Sequence, residues 1–421
     1  MGKRIGVGIV GSGFIANFHV RSWQGVRDGD IVAIAARNPV TGPQLADLCR
    51  QLGVGDPKVY SDVRPMVRQS DVDAVWVTVP NHIRVETVEA IVEEVKAGRS
   101  NVKAIAMEKP LARNVREAKR ILQLVEEAGL LHGYLENQVF APSVVRGRDI
   151  IWRRGAALAG PPYLARAAEE HSGPHMPWFW RGSLQGGGVL SDMMCHSVEA
   201  ARFLLTPPDR PDYLRPLTVT ATIASLKWSR DHYAQLLKDN TGGQVDYRRA
   251  PAEDYATMEV VYETADGHLV VSQATTSWSY VGPGLRLTFE LLGPEYSLSI
   301  NTLEPEGKLF LSRAVQGPAG EDLVEKQAAE QGQMPFIGDE AHTYGYTAEN
   351  QHMTTAFAQG RLPRETFRDG LLVTQLLMAG YKSAELGVTM RFNPDNLDEF
   401  VPLVQQERWN PRQLVERARE A

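Results

Sequence analysis

The chain has 421 residues, 43% of them hydrophobic and 23% charged, with a formal charge of −6. That length holds two domains of ordinary size, and the balance of charge excludes the basic footprint of a nucleic-acid binder. Two cysteines, Cys49 and Cys195, are too few for a disulfide framework or a thiolate zinc site. With no long apolar span and no leader ahead of the first strand, the reading is cytoplasmic, with no membrane partner.

From residue 4 to about 135, short β-branched runs alternate with helical patterns. "RIGVGIV" (4–10), "IVAIAA" (31–36), "DAVWVTVP" (73–80), "VKAIAMEKP" (102–110) and "LLHGYL" (130–135) read as strands. "FIANFHVRSW" (14–23), "QLADLCRQL" (44–52), "RVETVEAIVEEVKAG" (84–98) and "NVREAKRILQLVEEAG" (114–129) read as helices. Strands alternating with helices predict an α/β Rossmann domain, a parallel doubly wound sheet with helices on both faces.

Between the first strand and the first helix stands "GSGFIA", Gly11 to Ala16. In this G-x-G-x-x-A pattern Gly11 permits the tight turn and Gly13 lets a pyrophosphate approach the backbone. Small Ala16 allows close helix–strand packing, and the helix N-terminus faces the phosphates. The pattern is weak alone and strong in this strand–turn–helix setting, so a dinucleotide site is expected. The second strand ends "AIAARNP", where Arg37 and Asn38 stand in place of the acid that usually bonds an NAD ribose. A guanidinium there favours a 2′-phosphate, so the expected cofactor is NAD(P), leaning to NADP. Stacking of Arg37 on adenine, or its lying in solvent, is the alternative.

Two further strand ends carry polar residues. Ligands of doubly wound folds bind outside the carboxyl ends of the strands. Lys109 in "AMEKP" (106–110) is placed there to stabilise developing alkoxide charge, unless it is an ordinary surface lysine. In "VPNHI" (79–83), Asn81 and His82 either touch the nicotinamide ribose or cap the next helix.

Past about 137 the pattern changes. "PSVVRGRDIIWRRG" (142–155) reads as a helix and "YLARAAEE" (163–170) as a strand. "HSGPHMPWFWRGSLQGGG" (171–188) reads as a site-forming loop. Strand-like alternation follows at 216–228, 255–264, 268–278, 285–293 and 296–302, which predicts an α+β domain with an open, mainly antiparallel sheet. Insertions at 229–252 and 303–345 interrupt it, and helices return at 348–360 and 367–387. The expected division is 1–136 for the nucleotide domain and 137–421 for the substrate and oligomerisation domain. The cofactor is expected in a cleft between them.

The helix "VLSDMMCHSVEAARFLL" (189–205) follows three glycines, read as letting a backbone approach a ligand. On a wheel Leu190, Met193, Met194, Val198, Ala201, Leu204 and Leu205 share one face. Asp192, His196 and Glu199, with Phe203, gather on the other. That is either the solvated side of an amphipathic helix or a site in which Asp192 holds the His196 tautomer for acid–base work. His171, His175, Asp192 and His196 are a rival metal-ligand set, but without thiolates and with loose spacing no metal is expected.

Together "GSGFIANFH" (11–19), "VPNH" (79–82), "EKPLA" (108–112), "GGGVLSDMMCH" (186–196) and the closing segment 360–387 resemble the glucose–fructose oxidoreductase, inositol dehydrogenase and MocA (Gfo/Idh/MocA) family. The resemblance implies a Rossmann domain, an open-sheet domain and NAD(P)-dependent oxidation or reduction of a sugar, polyol or related hydroxyl. It makes Lys109 the family's EKP lysine and His196 the acid/base, with Asp192 as its partner and Glu199 near a second acid. The expected cofactor contacts are Gly11, Gly13, Phe14, Ile15, Arg37, Asn38, Pro80, Asn81, His82, Glu108 and Lys109. The expected substrate contacts are Lys109, His171, His175, Trp178, Trp180, Asp192 and His196. A homo-oligomer, dimer or tetramer, is expected. The alternatives are glycoside cleavage with retained cofactor and a non-enzymatic nicotinamide sensor.

Overall fold

A computed structural model describes residues 4–302, 304, 307–311 and 332–420. The chain folds as two compact units: Met1–Pro142 with Ala341–Thr374, and Ser143–Glu340 with Gln375–Ala421.

In the first unit, β1 (Ile5–Val10), β2 (Gly29–Ala35), β3 (Lys58–Tyr60), β4 (Ala74–Val77), β5 (Ala104–Glu108) and β6 (Leu131–Leu135) form one sheet. Its order is β3-β2-β1-β4-β5-β6, and every pairing is parallel. The continuous apolar runs predicted as strands are those of a sheet covered on both faces, and all four residues of β4 are buried. The strand order reverses between β1 and β4, the switch point outside which such sheets bind ligands. Strand β3 escaped the sequence reading. It has three residues, none fully buried, too short for a hydrophobic period.

The segment 341–374, expected in the second domain, folds with the first. Its helix Tyr346–Ala358 lies against Phe14–Ser22: the Phe18 and Tyr346 rings are 5.4 Å apart. A Cβ on Gly133 of β6 would meet Met353 Sδ at 2.6 Å, so the bare glycine seats this helix. Helical periodicity reports an apolar face but not which sheet that face covers.

In the second unit, β7 (Leu164–Glu170), β8 (Leu214–Ala224), β9 (Tyr255–Thr264), β10 (Leu269–Ser277), β11 (Arg286–Gly293) and β12 (Tyr296–Asn301) build the larger sheet. β13 (Gly307–Leu311) and β14 (Gly332–Phe336) pair separately as an antiparallel ladder, and β15 (Met390–Arg391) closes the edge of the larger sheet. The order is β12-β11-β7-β10-β9-β8-β15, antiparallel except where β7 meets β10. Alternate residues of β9, including Ala256, Met258, Val260 and Tyr262, are buried, as period-2 patterning requires. The helix Val189–Leu205 packs on this sheet.

The insertion 229–252 contains a helix, Asp231–Asn240. Buried Asp254 anchors its approach by accepting backbone N–H bonds from Leu226 (2.7 Å), Lys227 (3.0 Å) and Trp228 (2.7 Å). Of the insertion 303–345, residues 303, 305–306 and 312–331 lie outside the described residues.

Candidate functional site

Lys109 belongs to the first unit, and Asp192 and His196 to the second. In the first unit Gly11 takes φ +110°, a conformation L side chains rarely adopt, and a Cβ there would meet Thr78 Oγ1 at 2.7 Å. A Cβ on Gly13 would meet nothing within 4 Å, so its lack of a side chain is not a packing requirement. Gly13 is also the N-cap of Phe14–Ser22, and no side chain caps that helix. Backbone N–H groups at a helix start, reached over a bare glycine, fit a dinucleotide phosphate. Ser12 Oγ lies 2.6 Å from Thr41 Oγ1, which ties the turn to the next helix. Phe14 is exposed and Ile15 half-buried beside it.

At the end of β2, Arg37 is exposed and pairs with Glu86 at 3.2 Å. The sequence reading missed Glu86, which comes from a different helix. Asn38 turns its Oδ1 inward, accepting from the N–H groups of Val40 (2.8 Å) and Thr41 (3.2 Å). After β4, Pro80 leads into a short turn, Asn81–Ile83, in which Asn81 is buried and His82 half-buried.

At the end of β5, Glu108 is buried and Lys109 half-buried. Glu108 Oε2 accepts from the Lys109 N–H at 3.1 Å, and its Oε1 lies 2.9 Å from His19 Nε2. Burial pushes this carboxyl up, but the His19 bond and the charges of His19, Lys109 and Arg84 outweigh it and hold it below the usual range.

Arg84, which the sequence reading passed over, is 3% exposed. Its guanidinium donates to the carbonyls of Val79 (3.1 Å), Glu108 (2.6 Å), Lys109 (3.2 Å) and Pro110. One planar fork therefore binds the backbone after β4 to the backbone after β5, the two stretches that carry Asn81, His82 and Lys109. Its only sequence signal is a basic residue opening a helix, where the dipole disfavours one.

In the second unit the helix Val189–Leu205 has no solvated face. Asp192 is 5% exposed, His196 4% and Glu199 fully buried. Of the two readings of this helix, the solvated side is the one excluded: the side the wheel marks as polar is covered as well. Glu199 pairs with Arg202, at 2.5 and 2.8 Å, which is a structural bond within the helix. Phe203 lies under the Arg148 guanidinium, 3.9 Å from the ring centre.

The loop 171–188 is partly core. Trp180 is buried among Trp228, Trp278 and Tyr247, with ring centres 5.0, 5.1 and 5.8 Å away, and its Nε1 donates to Pro174 O at 2.9 Å. His171 is buried and its Nδ1 accepts from the Gly173 N–H at 2.9 Å. Trp178 is half-buried and stacked on Phe179, and His175 is exposed. Among the described residues, no three of His171, His175, Asp192 and His196 bring ligand atoms within 4.8 Å of one another.

Residues 5–134 match the family described as "Oxidoreductase family, NAD-binding Rossmann fold", and residues 157–299 match the "GFO/IDH/MocA C-terminal domain". Levoglucosan dehydrogenase of Pseudarthrobacter phenanthrenivorans is 28% identical over 211 residues, 48% of this chain and 52% of that one. Inositol 2-dehydrogenase of Rhizobium meliloti is 25% identical over 262 residues, 62% of this chain and 65% of that one. The chain thus spans between half and two thirds of the length of these curated relatives. Among solved structures, GenD2 from gentamicin A biosynthesis, in complex with NAD, superposes with a TM-score of 0.73 at 24% identity. That match covers 93% of this chain and 97% of that one. Levoglucosan dehydrogenase in complex with NADH and levoglucosan gives 0.68 at 21% identity, covering 93% of this chain and all of that one. At these identities the likeness establishes the fold.

Proposed function

The chain belongs to the Gfo/Idh/MocA oxidoreductase family, and from that membership we propose that it transfers a hydride between NAD(P) and a hydroxyl or keto carbon of a sugar, polyol or glycoside. The observation that carries the reading is the burial of Asp192 and His196 one turn apart on a helix with no wet side. Two buried ionisable groups are costly as decoration and are characteristic of sites.

Bound NAD(P) supplies the hydride acceptor or donor. Gly11, Gly13 and the start of Phe14–Ser22 hold its phosphates. His196 takes the hydroxyl proton during oxidation and returns it during reduction, and Asp192 orients the imidazole. Lys109 hydrogen-bonds the reacting oxygen and stabilises its developing negative charge.

The test is Lys109→Ala and His196→Ala with a panel of sugars, cyclitols and glycosides and both cofactors. Turnover is expected to fall about 10²- to 10⁴-fold in each variant, with cofactor affinity retained in His196→Ala. Near-wild-type turnover in both overturns the assignment. Release of free sugar without a change in nicotinamide absorbance replaces it with glycoside cleavage.

The finer reading is NADP preference, supported by Arg37 at the end of β2 and moderated by its pairing with Glu86. An unchanged ratio of NADP to NAD affinity in Arg37→Ala overturns it. We read the protein as a cytoplasmic homo-oligomer, dimer or tetramer. Supporting this are two buried free cysteines and a sheet whose β9 and β10 leave alternate residues at least partly exposed. Light scattering on the eluted protein tests the oligomer, and a monomer overturns it.

A further inference from the structure

The glycine run ahead of the site helix has a cause other than ligand approach. A Cβ on Gly187 would run into the Tyr381 hydroxyl, and one on Gly188 would lie 2.7 Å from the Glu253 carboxyl carbon. These glycines are bare because two residues far along the chain occupy that space.

An α-helix begins with N–H groups that have no partner within it. Here they are answered by those same two residues. Gly188 N donates to Glu253 Oε1 at 2.9 Å and to Tyr381 Oη at 3.1 Å. Val189 N donates to the Glu253 carbonyl at 3.0 Å, Leu190 N to Glu253 Oε1 at 3.1 Å, and Ser191 N to Tyr381 Oη at 3.1 Å. Tyr381 Oη in turn donates to Glu253 Oε1 at 2.6 Å. Glu253 and Tyr381 are both fully buried, and among the described residues Glu253 Oε2 has no hydrogen-bond partner. Ordinary capping uses one short polar side chain adjacent to the helix. This cap comes from the segment just ahead of β9 and from the helix Phe367–Leu386, so it fixes the helix against its surroundings as well as closing its end.

We propose that Glu253 and Tyr381 are positioning residues: they lock the first turn of the helix carrying Asp192 and His196, and the charge of Glu253 couples that helix to pH. The proposal rests on the role given above to His196. The ionisable groups that act on or beside the carboxyl are Tyr381 and Tyr247; Asp254 follows it in the chain but turns its carboxylate to the N–H groups of Leu226, Lys227 and Trp228, and Asp192 stands in the first turn of the helix. Burial pushes the Glu253 carboxyl up to about 7, with the Tyr381 hydroxyl and the backbone N–H groups drawing it back. Its charge therefore changes in the range where an imidazole titrates. His196 stands roughly 10 Å farther along the helix, close enough in a buried setting for the two titrations to interact.

The test is His196 observed by NMR across the pH range in the whole protein, as wild type and as Glu253→Gln. The amide keeps an acceptor for Gly188 and Leu190. In the wild type the His196 curve should be broadened by a second titration near neutrality, and in Glu253→Gln it should follow a single proton. Superimposable curves overturn the coupling. Tyr381→Phe tests the positioning arm. It should lower kcat by about tenfold with cofactor affinity unchanged, and an unchanged kcat overturns that arm. If His196→Ala abolishes turnover while both cap variants behave as wild type, only this inference fails. If His196→Ala leaves turnover intact, the catalytic assignment fails, and the NMR result still decides the coupling.

Discussion

His19 Nε2 lies 2.9 Å from Glu108 Oε1, and both side chains are buried. Trp76 Nε1, which can only donate, points at Asn350 Oδ1 at 2.8 Å. Asn350 Nδ2 donates to Ser22 Oγ at 2.7 Å, and His19 Nδ1 lies 2.9 Å from Asn350 Nδ2 and 3.2 Å from its Oδ1. The Glu108 carboxylate can only accept, so His19 Nε2 donates to it.

Replacing His19 with Leu leaves the Glu108 carboxylate buried without this donor. The expected loss is about 3–5 kcal/mol, as for breaking a buried pair, measured by denaturant unfolding at neutral pH. The pH dependence has a definite sign. The Glu108 carboxyl is held below its ordinary value, so its stabilisation is present above the unfolded-state value and is lost as pH falls through the folded one. Glu108→Gln should therefore flatten the acid limb of the stability curve, and an unaltered acid limb contradicts this account.

Arg84 should matter to catalysis without touching substrate. Its fork reaches four carbonyls after β4 and β5, including that of Lys109 itself. Lysine keeps the charge but concentrates its donors at one point and cannot span them. Both Arg84→Met and Arg84→Lys should lower kcat, by up to about 10²-fold if Lys109 shifts by an ångström. Failure of lysine to rescue separates geometry from charge. Rescue by lysine would mean that charge alone is required.

Much of this was legible in the residues. Strand–helix alternation and "GSGFIA" located the nucleotide unit because both depend on local periodicity and local turn chemistry. What sequence could not display were partnerships across long separations. Glu253 lies 65 residues from Gly188, and Tyr381 lies 193 away, so "GGG" looked like an opening for a ligand when it is the seat of a cap. The helix wheel left two readings open for a related reason. A wheel sorts residues by polarity, whereas Asp192, His196 and Glu199 are buried by packing that the wheel does not contain. That Trp180 is packed among aromatic rings could not be read locally either, because its partners, Trp228, Tyr247 and Trp278, are 48 to 98 residues further along.

Glu86 offers a check on the cofactor end. Its carboxylate draws on the Arg37 guanidinium at 3.2 Å, and both groups are exposed. A 2′-phosphate at Arg37 would have to compete with that carboxylate. Glu86→Gln should raise NADP affinity relative to NAD by about three- to tenfold at low salt, and the gain should shrink as salt screens it. Calorimetric titration at two ionic strengths measures both effects. Equal gains for the two cofactors would place the 2′-phosphate away from Arg37.

Glu349 is the clearest stability liability in the first unit. It is fully buried, and among the described residues neither carboxylate oxygen has a hydrogen-bond partner. Burial, with the nearby charges of Glu108 and Glu136, raises it well above the ordinary carboxyl range, so the folded protein keeps this proton to higher pH than the unfolded chain. The unfolded chain releases it above about pH 4.3. Between those two values the native state binds one more proton than the unfolded state, and stability falls with rising pH by about 1.4 kcal/mol per unit from this group. Glu349→Gln has nearly the same shape and no proton to lose. Its stability relative to wild type should therefore climb as pH rises above about 4.3. Denaturant midpoints of the two proteins across that range measure the difference, and parallel curves would mean that Glu349 is ionised in the fold.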